Sequence, residues 1–479
     1  MSGARLPFAF ARDNQVALDE GALLIGPEAT MNGLRAARRA AGRPVDPEPL
    51  EQEGFLARLS RLYDTGSEAG SEVAFDLEEN PQRGTTRDIL EDPEDAPVIR
   101  LVNQMLRQAV RGSASDLHLE PHEEGLRARM RIDGTMQNVF DRRDVPARRV
   151  VSRLKVMAGL DIAETRLPQD GRIALRLGGR AIDVRLSTLP GHHGERVVMR
   201  LLDRSGGLMG LDRLGLSDAD AARLNRLAAL PNGIILATGP TGSGKTTTLY
   251  SLLRLADRRE RNILTVEDPV EYDLPGISQT PVNPEIGLTF ARGLRSILRQ
   301  DPDVILVGEI RDGETAQVAC EAALTGHLVF SSLHANTALA AVVRLRELGV
   351  EGYLIATTLR GVLAQRLVRR LCPDCARMAP PTADEAAQFA AHGVPLPAQI
   401  AHPTGCDTCE QTGYSGRIGI FDILEIDESL RAAIDSDASE VRLREAAGPR
   451  PSLMASALGR VASGETSLAE VRRVLGETP

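Results

Sequence analysis

The sequence predicts a multidomain α/β protein. A small N-terminal domain and an antiparallel α+β domain precede a larger parallel-sheet core that carries a four-cysteine module. Three observations predict it. Four apolar runs, Ile234–Thr238, Ile263–Asp268, Val304–Glu309 and Leu328–His334, each end in polar residues, with helical stretches between them. That is the pattern of a largely parallel sheet. Upstream, apolar residues alternate with arginines at period two, as in strands with one buried face. Downstream stand two Cys-x-x-Cys pairs, Cys372 with Cys375 and Cys406 with Cys409.

Residues 1–75 mix short helical patterns with Pro and Gly and read as a small N-terminal domain. Residues 76–97 are rich in Asp and Glu, with Pro81, Gly84 and Pro93 among them, the composition of a solvated, flexible linker. Residues 98–204 form the α+β domain. Its helix starts at Pro97, and Val98, Leu101, Val102, Met105, Leu106 and Val110 recur at helical spacing until Gly112. Then Leu126, Ala128, Met130 and Ile132 alternate with Arg127, Arg129 and Arg131, and Asp133-Gly134 signals a tight turn. A second alternating pair flanks Gly178-Gly179, with Ile173, Leu175 and Leu177 before it and Ile182, Val184 and Leu186 after it. The arginine-bearing face reads equally as a solvated surface or a binding surface. Residues 205–479 form the parallel-sheet domain, with the cysteine module at 368–418 and a helical part at 419–479.

Composition narrows the function classes. The 479 residues are 42% hydrophobic and 26% charged, ordinary for a globular chain. A net charge of −9, with aromatics at 3% and no Trp, argues against a nucleic-acid ligand. The longest uncharged run, Leu227–Gly244, is broken by Pro231, Gly233, Gly239 and Pro240, so it belongs to the core rather than to a membrane span. Pro7, Arg12 and Asp13 interrupt the first apolar run, which argues against a signal peptide. The paired cysteines read as reduced or metal-bound, hence cytosolic.

The first predicted core strand leads into Gly239-Pro240-Thr241-Gly242-Ser243-Gly244-Lys245-Thr246, and a helical run through Thr247 follows. A glycine loop between strand and helix aims backbone N–H groups at phosphates; without that context it would be only a flexible connector. Lys245 is placed to reach the β and γ phosphates of ATP, and the Thr246 hydroxyl to hold Mg2+. Hydrolysis further needs an oriented water and neutralised charge. In parallel sheets ligands sit at the carboxyl edge of the strands, where Glu267, Glu309 and His334 converge. Glu309 is the first candidate for water or metal, Glu267 the second, and the bland reading of both is helix capping. His334 is a candidate γ-phosphate sensor and His327 a weaker one. Arg295 and Arg299 share one helical face, while Arg172 and Arg185 lie on the arginine-bearing hairpin, from which an arginine finger could complete the site. The four cysteines suit a structural tetrahedral Zn2+, with disulfides or a redox pair as alternatives. Cys320 reads as a small buried side chain, and Ser467 to Glu470 as a helix capping box.

Taken together, these residues resemble the secretion ATPases, and within them the type II secretion traffic ATPase, general secretory pathway protein E. The resemblance is carried by Glu94 to Asn103, Ala114 to Glu120, Leu167 to Arg172, the phosphate loop, Val266 to Glu271, Leu298 to Asp312, Thr325 to Ala338, the cysteine pairs and Gly413 to Arg417. It implies a RecA-like P-loop ATPase core with Glu309 as the Walker B glutamate and Glu267 in the aspartate box. It also implies that Arg172, Arg185, Arg295 and Arg299 approach the phosphates. The implied assembly is a homohexamer on the cytoplasmic face of the inner membrane that drives pseudopilus assembly. Its N-terminal domain would dock on the cytoplasmic part of a bitopic membrane protein, and a polytopic platform protein would meet the ring. The type IV pilus assembly ATPase shares the catalytic motifs and is the nearest alternative. The opening Leu6 to Arg12 and the stretch Leu288 to Leu298 favour secretion. A nucleic-acid-translocating ATPase and a nucleotide-gated adaptor are more distant readings.

Overall fold

The computed structural model describes residues 96–476 except 178–179, 204–208 and 257–258, together with residues 76–77 and most of residues 6–62. Two compact units partition the chain, residues 1–131 with 136–205, and residues 132–135 with 206–479.

The first unit opens with strands the sequence did not announce. β1 (Val16–Asp19) and β2 (Ala22–Ile25) pair antiparallel, and β3 (Asp46–Pro49) joins β2 in parallel after helix α1 (Met31–Ala41). Strands of four residues are too short for a period-two pattern to stand out. Val16, Leu23, Leu24, Ala37, Phe55 and Leu59 form their small core. Most of the stretch read as a linker lies outside the described residues. Within it, Asp76–Leu77 forms a short strand, β4.

Helix α2 (Ala96–Arg111) carries Pro97 in its first turn, where its missing N–H leaves no bond unmade. Then come β5 (Asp116–His122), β6 (Gly125–Ile132) and β7 (Thr135–Arg142), helix α3 (Ala147–Ala158), and β8 (Gln169–Leu177), β9 (Arg180–Leu189) and β10 (Arg196–Asp203). They form one sheet in the order β4-β8-β9-β10-β5-β6-β7. Asp133 and Gly134 both take positive φ, 48° and 81°, as a two-residue hairpin turn demands. The expected turn at Gly178-Gly179 lies outside the described residues. Alternation puts Leu126, Ala128, Met130, Val184, Leu186, Val197 and Met199 on the buried face. The opposite face is more than a solvated surface. Glu120 takes Arg129 at 2.5 Å and Arg196 at 2.7 Å, and Asp116 takes Arg200 at 3.1 Å.

The second unit is built on a seven-stranded sheet. In chain order its elements are α4 (Asp218–Ala228), β11 (Gly233–Thr238), α5 (Lys245–Leu253), β12 (Ile263–Glu267), β13 (Ser278–Pro281), α6 (Phe290–Ile297) and β14 (Val304–Ile310). They continue as α7 (Gly313–Leu324), β15 (Leu328–Leu333), α8 (Ala338–Glu347), α9 (Gly352–Thr358) and β16 (Leu359–Leu371). After β16 a small module holds β17 (Arg377–Ala379), α10 (Ala383–Ala391) and β18 (Ile400–His402), and β19 (Tyr414–Glu425) returns antiparallel to β16. Four helices close the chain, α11 (Glu428–Asp435), α12 (Glu440–Ala446), α13 (Leu453–Ala462) and α14 (Leu468–Leu475). The sheet order is β13-β12-β14-β15-β11-β16-β19, parallel up to β16.

This sheet is buried on both faces, which explains the unbroken apolar runs. Ile234 and Leu236 of β11 enter one core with Leu294, Ile305 and Val307. Ile235 and Ala237 enter the other with Leu224, Leu249, Leu252 and Phe330. The four strands expected from the sequence are present, and β13, β16 and β19 extend them. In β16 the polar Gln365, Arg366 and Arg369 interrupt the apolar pattern because each is held by a specific partner.

Two further expectations change. Ser467 caps α14 by accepting from Glu470 N–H at 3.2 Å, but the Glu470 carboxylate does not return the bond. It takes Arg369 and Arg473 instead, so the capping box is half made. His327 Nδ1 lies 2.8 Å from the Ala322 carbonyl at the end of α7, a helix-end contact and not a sensor.

Candidate functional site

The phosphate loop joins β11 to α5 at the carboxyl edge of the parallel sheet. Gly239, Gly242 and Gly244 take φ of 147°, 79° and 87°, which lets successive N–H groups turn into one concave cradle. At Gly239 a side chain would also strike the Gln365 carbonyl and the Ser243 hydroxyl. Lys245 starts the helix, and its Nζ donates to the Gly239 and Pro240 carbonyls at 2.9 and 3.0 Å. The ammonium therefore rests on the loop's own carbonyls, where phosphate oxygens would compete for it. Burial lowers its pKa, with Glu309 pulling it up and Arg366 pushing it down. Thr246 is exposed at the head of the helix, where its hydroxyl suits Mg2+. The loop as folded thus fits a triphosphate and its metal.

Glu309 gains its position from a fault in the sheet. The β14–β15 ladder shifts register between Val307 and Ile310, and Gly308-Glu309 fall in the irregular step. The Ser331 and Ser332 hydroxyls donate to the Val307 and Gly308 carbonyls, both at 2.8 Å, supplying bonds the ladder lacks. Such irregularities re-aim a side chain. The Glu309 carboxylate, 17% exposed, pairs with Arg311 and lies 3.4 Å from His334 Nε2. Arg311 also lies 3.4 Å from Asp268. The structure so brings Glu309 and His334 together, with His334 half exposed. Helix α7 is capped by Asp312, whose carboxylate accepts from Thr315 N–H at 2.8 Å, and this leaves Glu309 free of a capping duty.

Glu267 is placed differently. It is 3% exposed, and its carboxylate accepts from the Tyr250 hydroxyl, from Thr265 at 2.5 Å and from Gln279 at 3.0 Å. Three neutral donors occupy it, and one of them belongs to the phosphate-loop helix. Burial, and then the Glu267 charge, hold the Tyr250 hydroxyl well above its ordinary pKa.

The arginines divide between the two units. Arg295 pairs with Glu314 at 2.5 Å, and Arg299 donates to the Arg295 carbonyl at 2.8 Å. Both side chains are exposed, and these contacts hold them on α6 and α7. Arg172 and Arg185 are directly opposed on β8 and β9 of the first unit. Residue patterns missed Arg311, Tyr250, Gln365 and Arg366. Arg311 had a signal, since it follows Glu309 by two at a strand end. The others become visible only when β16 and α5 are placed beside the loop. Gln365 Nε2 donates to the Ser243 carbonyl at 2.6 Å, fastening the loop to β16.

The four cysteines converge at the tip of the β16–β19 hairpin, with all four sulfurs within 4.8 Å of one another. Cys372 and Cys406 stand 3.9 Å apart, Cys375 and Cys409 3.8 Å, and Cys406 and Cys409 3.7 Å. A tetrahedral Zn2+ with bonds of about 2.3 Å requires sulfurs about 3.8 Å apart, whereas a disulfide requires about 2.05 Å. Burial opposes ionisation of Cys409, but N–H bonds from Cys406 and Gly413 outweigh it and bring that thiol down to about 6. The cluster fits a tetrahedral metal and does not fit disulfides.

Comparison with known proteins decides the family. The type II/IV secretion system protein family model matches residues 91–473, and the model of the GSPII protein E N-terminal domain matches residues 5–63. Type II secretion system protein E of Dickeya dadantii is 48% identical, over 98% of this chain and 97% of its own. The chain belongs to the type II secretion system protein E family. The Aeromonas hydrophila protein is 47% identical over 98% of this chain and 96% of its own, and the type II secretion system ATPase E of Vibrio cholerae 46% over 99% and 97%. The core fold recurs in the solved ATPase DotB of Legionella pneumophila, with a TM-score of 0.57 at 22% identity over 78% of this chain and 95% of that one. It recurs also in the pilus retraction motor PilT bound to ADP, with a TM-score of 0.54 at 24% identity over 78% and 97%. Protein E relatives matched from end to end separate this chain from the pilus-assembly alternative. It is an ATP-hydrolysing enzyme of type II secretion. Among the described residues no helix is long and apolar enough to cross a membrane.

Proposed function

We propose that this member of the protein E family works as a homohexameric ring at the cytoplasmic face of the inner membrane, converting ATP hydrolysis into pseudopilus assembly. The observation that carries the catalytic reading is Glu309, re-aimed by the β14 irregularity and electrostatically coupled to Lys245. Lys245 and the loop N–H groups hold the phosphates, and Mg2+ on Thr246 neutralises charge there. Glu309 orients the attacking water. Its bond to Arg311 must loosen as it does so, because a carboxylate fixed by a guanidinium is a weak base. His334, beside Glu309, reports the γ-phosphate. Glu267 acts as a second carboxylate only after exchanging one of its three donors. Arg172, Arg185, Arg295 and Arg299 supply guanidiniums as subunits close around the nucleotide. Zn2+ on Cys372, Cys375, Cys406 and Cys409 is structural, since protein fills all four positions.

Residues 5–63 match the protein E N-terminal domain and are the docking element for the cytoplasmic domain of a bitopic inner-membrane protein. A polytopic platform protein receives the motion, and nucleic acid has no part. The test is the ATPase rate and assembled mass of the full chain, with and without that cytoplasmic domain and anionic vesicles. Ring formation with acceleration supports the proposal; stimulation by DNA or RNA, with indifference to the membrane partner, overturns it.

A further inference from the structure

Arg366 is buried without a counter-charge. It is 9% exposed, and its guanidinium donates to the Gln365 carbonyl at 3.0 Å and the Asn336 carbonyl at 3.1 Å. Among the described residues no carboxylate pairs with it. Carbonyls satisfy its hydrogen bonds but leave its charge uncompensated, and a desolvated, unpaired charge destabilises a fold. Its position is specific: a Cβ built on Gly239 would stand 3.2 Å from Arg366 Nη1. Arg366 and Lys245 therefore flank the same glycine at the start of the phosphate loop, one held by the loop's carbonyls and the other by those of β16 and the segment after β15. Burial lowers the Arg366 pKa, and its charge lowers that of Lys245.

We infer that Arg366 is a second fixed cation of the phosphate site, a positioning residue whose charge is balanced only when a polyphosphate enters the loop. The inference rests on the reading of this loop as the ATP site and adds a residue to it. It explains why an arginine occupies a strand position that packing would fill with an apolar side chain. Through Asn336 it also joins the loop to the segment carrying His334, so the guanidinium is fixed by both edges of the site.

The test compares ATP, ADP and AMP binding to the full chain by calorimetry, with melting temperatures in each state. In the wild type, affinity rises with phosphate charge; absence of that rise would count against the loop as a nucleotide site and not against Arg366 alone. Arg366→Met fills the volume without the charge. ATP affinity is expected to fall about tenfold to a hundredfold, as for a lost charge-assisted interaction, with a much smaller loss for AMP. The nucleotide-free melting temperature is expected to hold or rise. Arg366→Lys restores charge without the planar fork and is expected to recover most of the ATP-over-AMP preference. Should the Met variant not fold, Arg366→Gln carries the same comparison. An unchanged ATP-over-AMP preference without the charge, or a Lys variant no better than the neutral ones, overturns the inference and leaves Arg366 as a structural bridge.

Discussion

Arg172 on β8 and Arg185 on β9 occupy directly opposed positions of one antiparallel pair. Like charges so placed destabilise a sheet unless something anionic comes between them. Arg200 extends the row on β10 opposite Arg185, and Asp116 answers it.

If Arg172 and Arg185 serve the transferring phosphate, either Arg→Ala variant should keep its sheet and lose turnover by about a thousandfold, the scale of an arginine finger. ATPase assays beside circular dichroism check this. Near-wild-type turnover in both variants would return the pair to the solvated surface that composition alone allows.

Glu309→Gln should bind ATP as the wild type does and lose turnover by at least about a hundredfold, since only the charge that orients water is removed. A fluorescent nucleotide reports binding and phosphate release reports turnover. Weakened binding with normal turnover would contradict the assignment.

Cys409→Ser, or chelation of the metal, should lower the melting temperature and release about one Zn2+ per chain while ATP binding persists. Metal analysis and calorimetry decide it. An intact fold that no longer binds ATP would show that the cluster is not purely structural.

The Glu470 carboxylate lies at the junction of β16 and α14, taking Arg369 at 2.8 Å and Arg473 at 2.6 Å. Burial alone would raise its pKa, but the bonds from Arg473 and Arg369 outweigh burial and hold it below the ordinary value. A carboxyl depressed in the folded state stabilises the fold above its unfolded pKa, about 4.3. That contribution disappears as pH falls from there through the folded value. Glu470→Gln should cost about 3 kcal/mol at neutral pH and flatten the acid limb of the stability curve. Denaturant titrations between pH 3 and 7 would show it, and parallel acid limbs for the two proteins would refute it.

The core was legible where one physical rule governs several residues at once. A strand buried on both faces must be apolar throughout, so β11, β12, β14 and β15 stood out. A glycine loop between strand and helix has few other uses, and four thiolates in two pairs have fewer. Legibility failed where a side chain answers to a partner distant in sequence. Gln365 and Arg366 look like defects in an apolar run until Ser243 and Asn336 are beside them. Glu267 looks as available as Glu309 until Tyr250, Thr265 and Gln279 are seen to occupy it. Arg450, in a tail that sequence left undefined, pairs with the buried Asp422, and Ser452 then caps α13.

Strand β16 carries Gln365 against the phosphate loop, Arg366 against Asn336, Arg369 against Glu470, and Cys372 just beyond its end. Slippage by one residue would turn each of these side chains to the opposite face. Nucleotide affinity, the seat of the C-terminal helix and the metal cluster would then fail together. Insertions and deletions within 359–371 should therefore be far less tolerated than any single substitution there, and a chain that has lost one of these properties through misfolding of this strand should have lost all three.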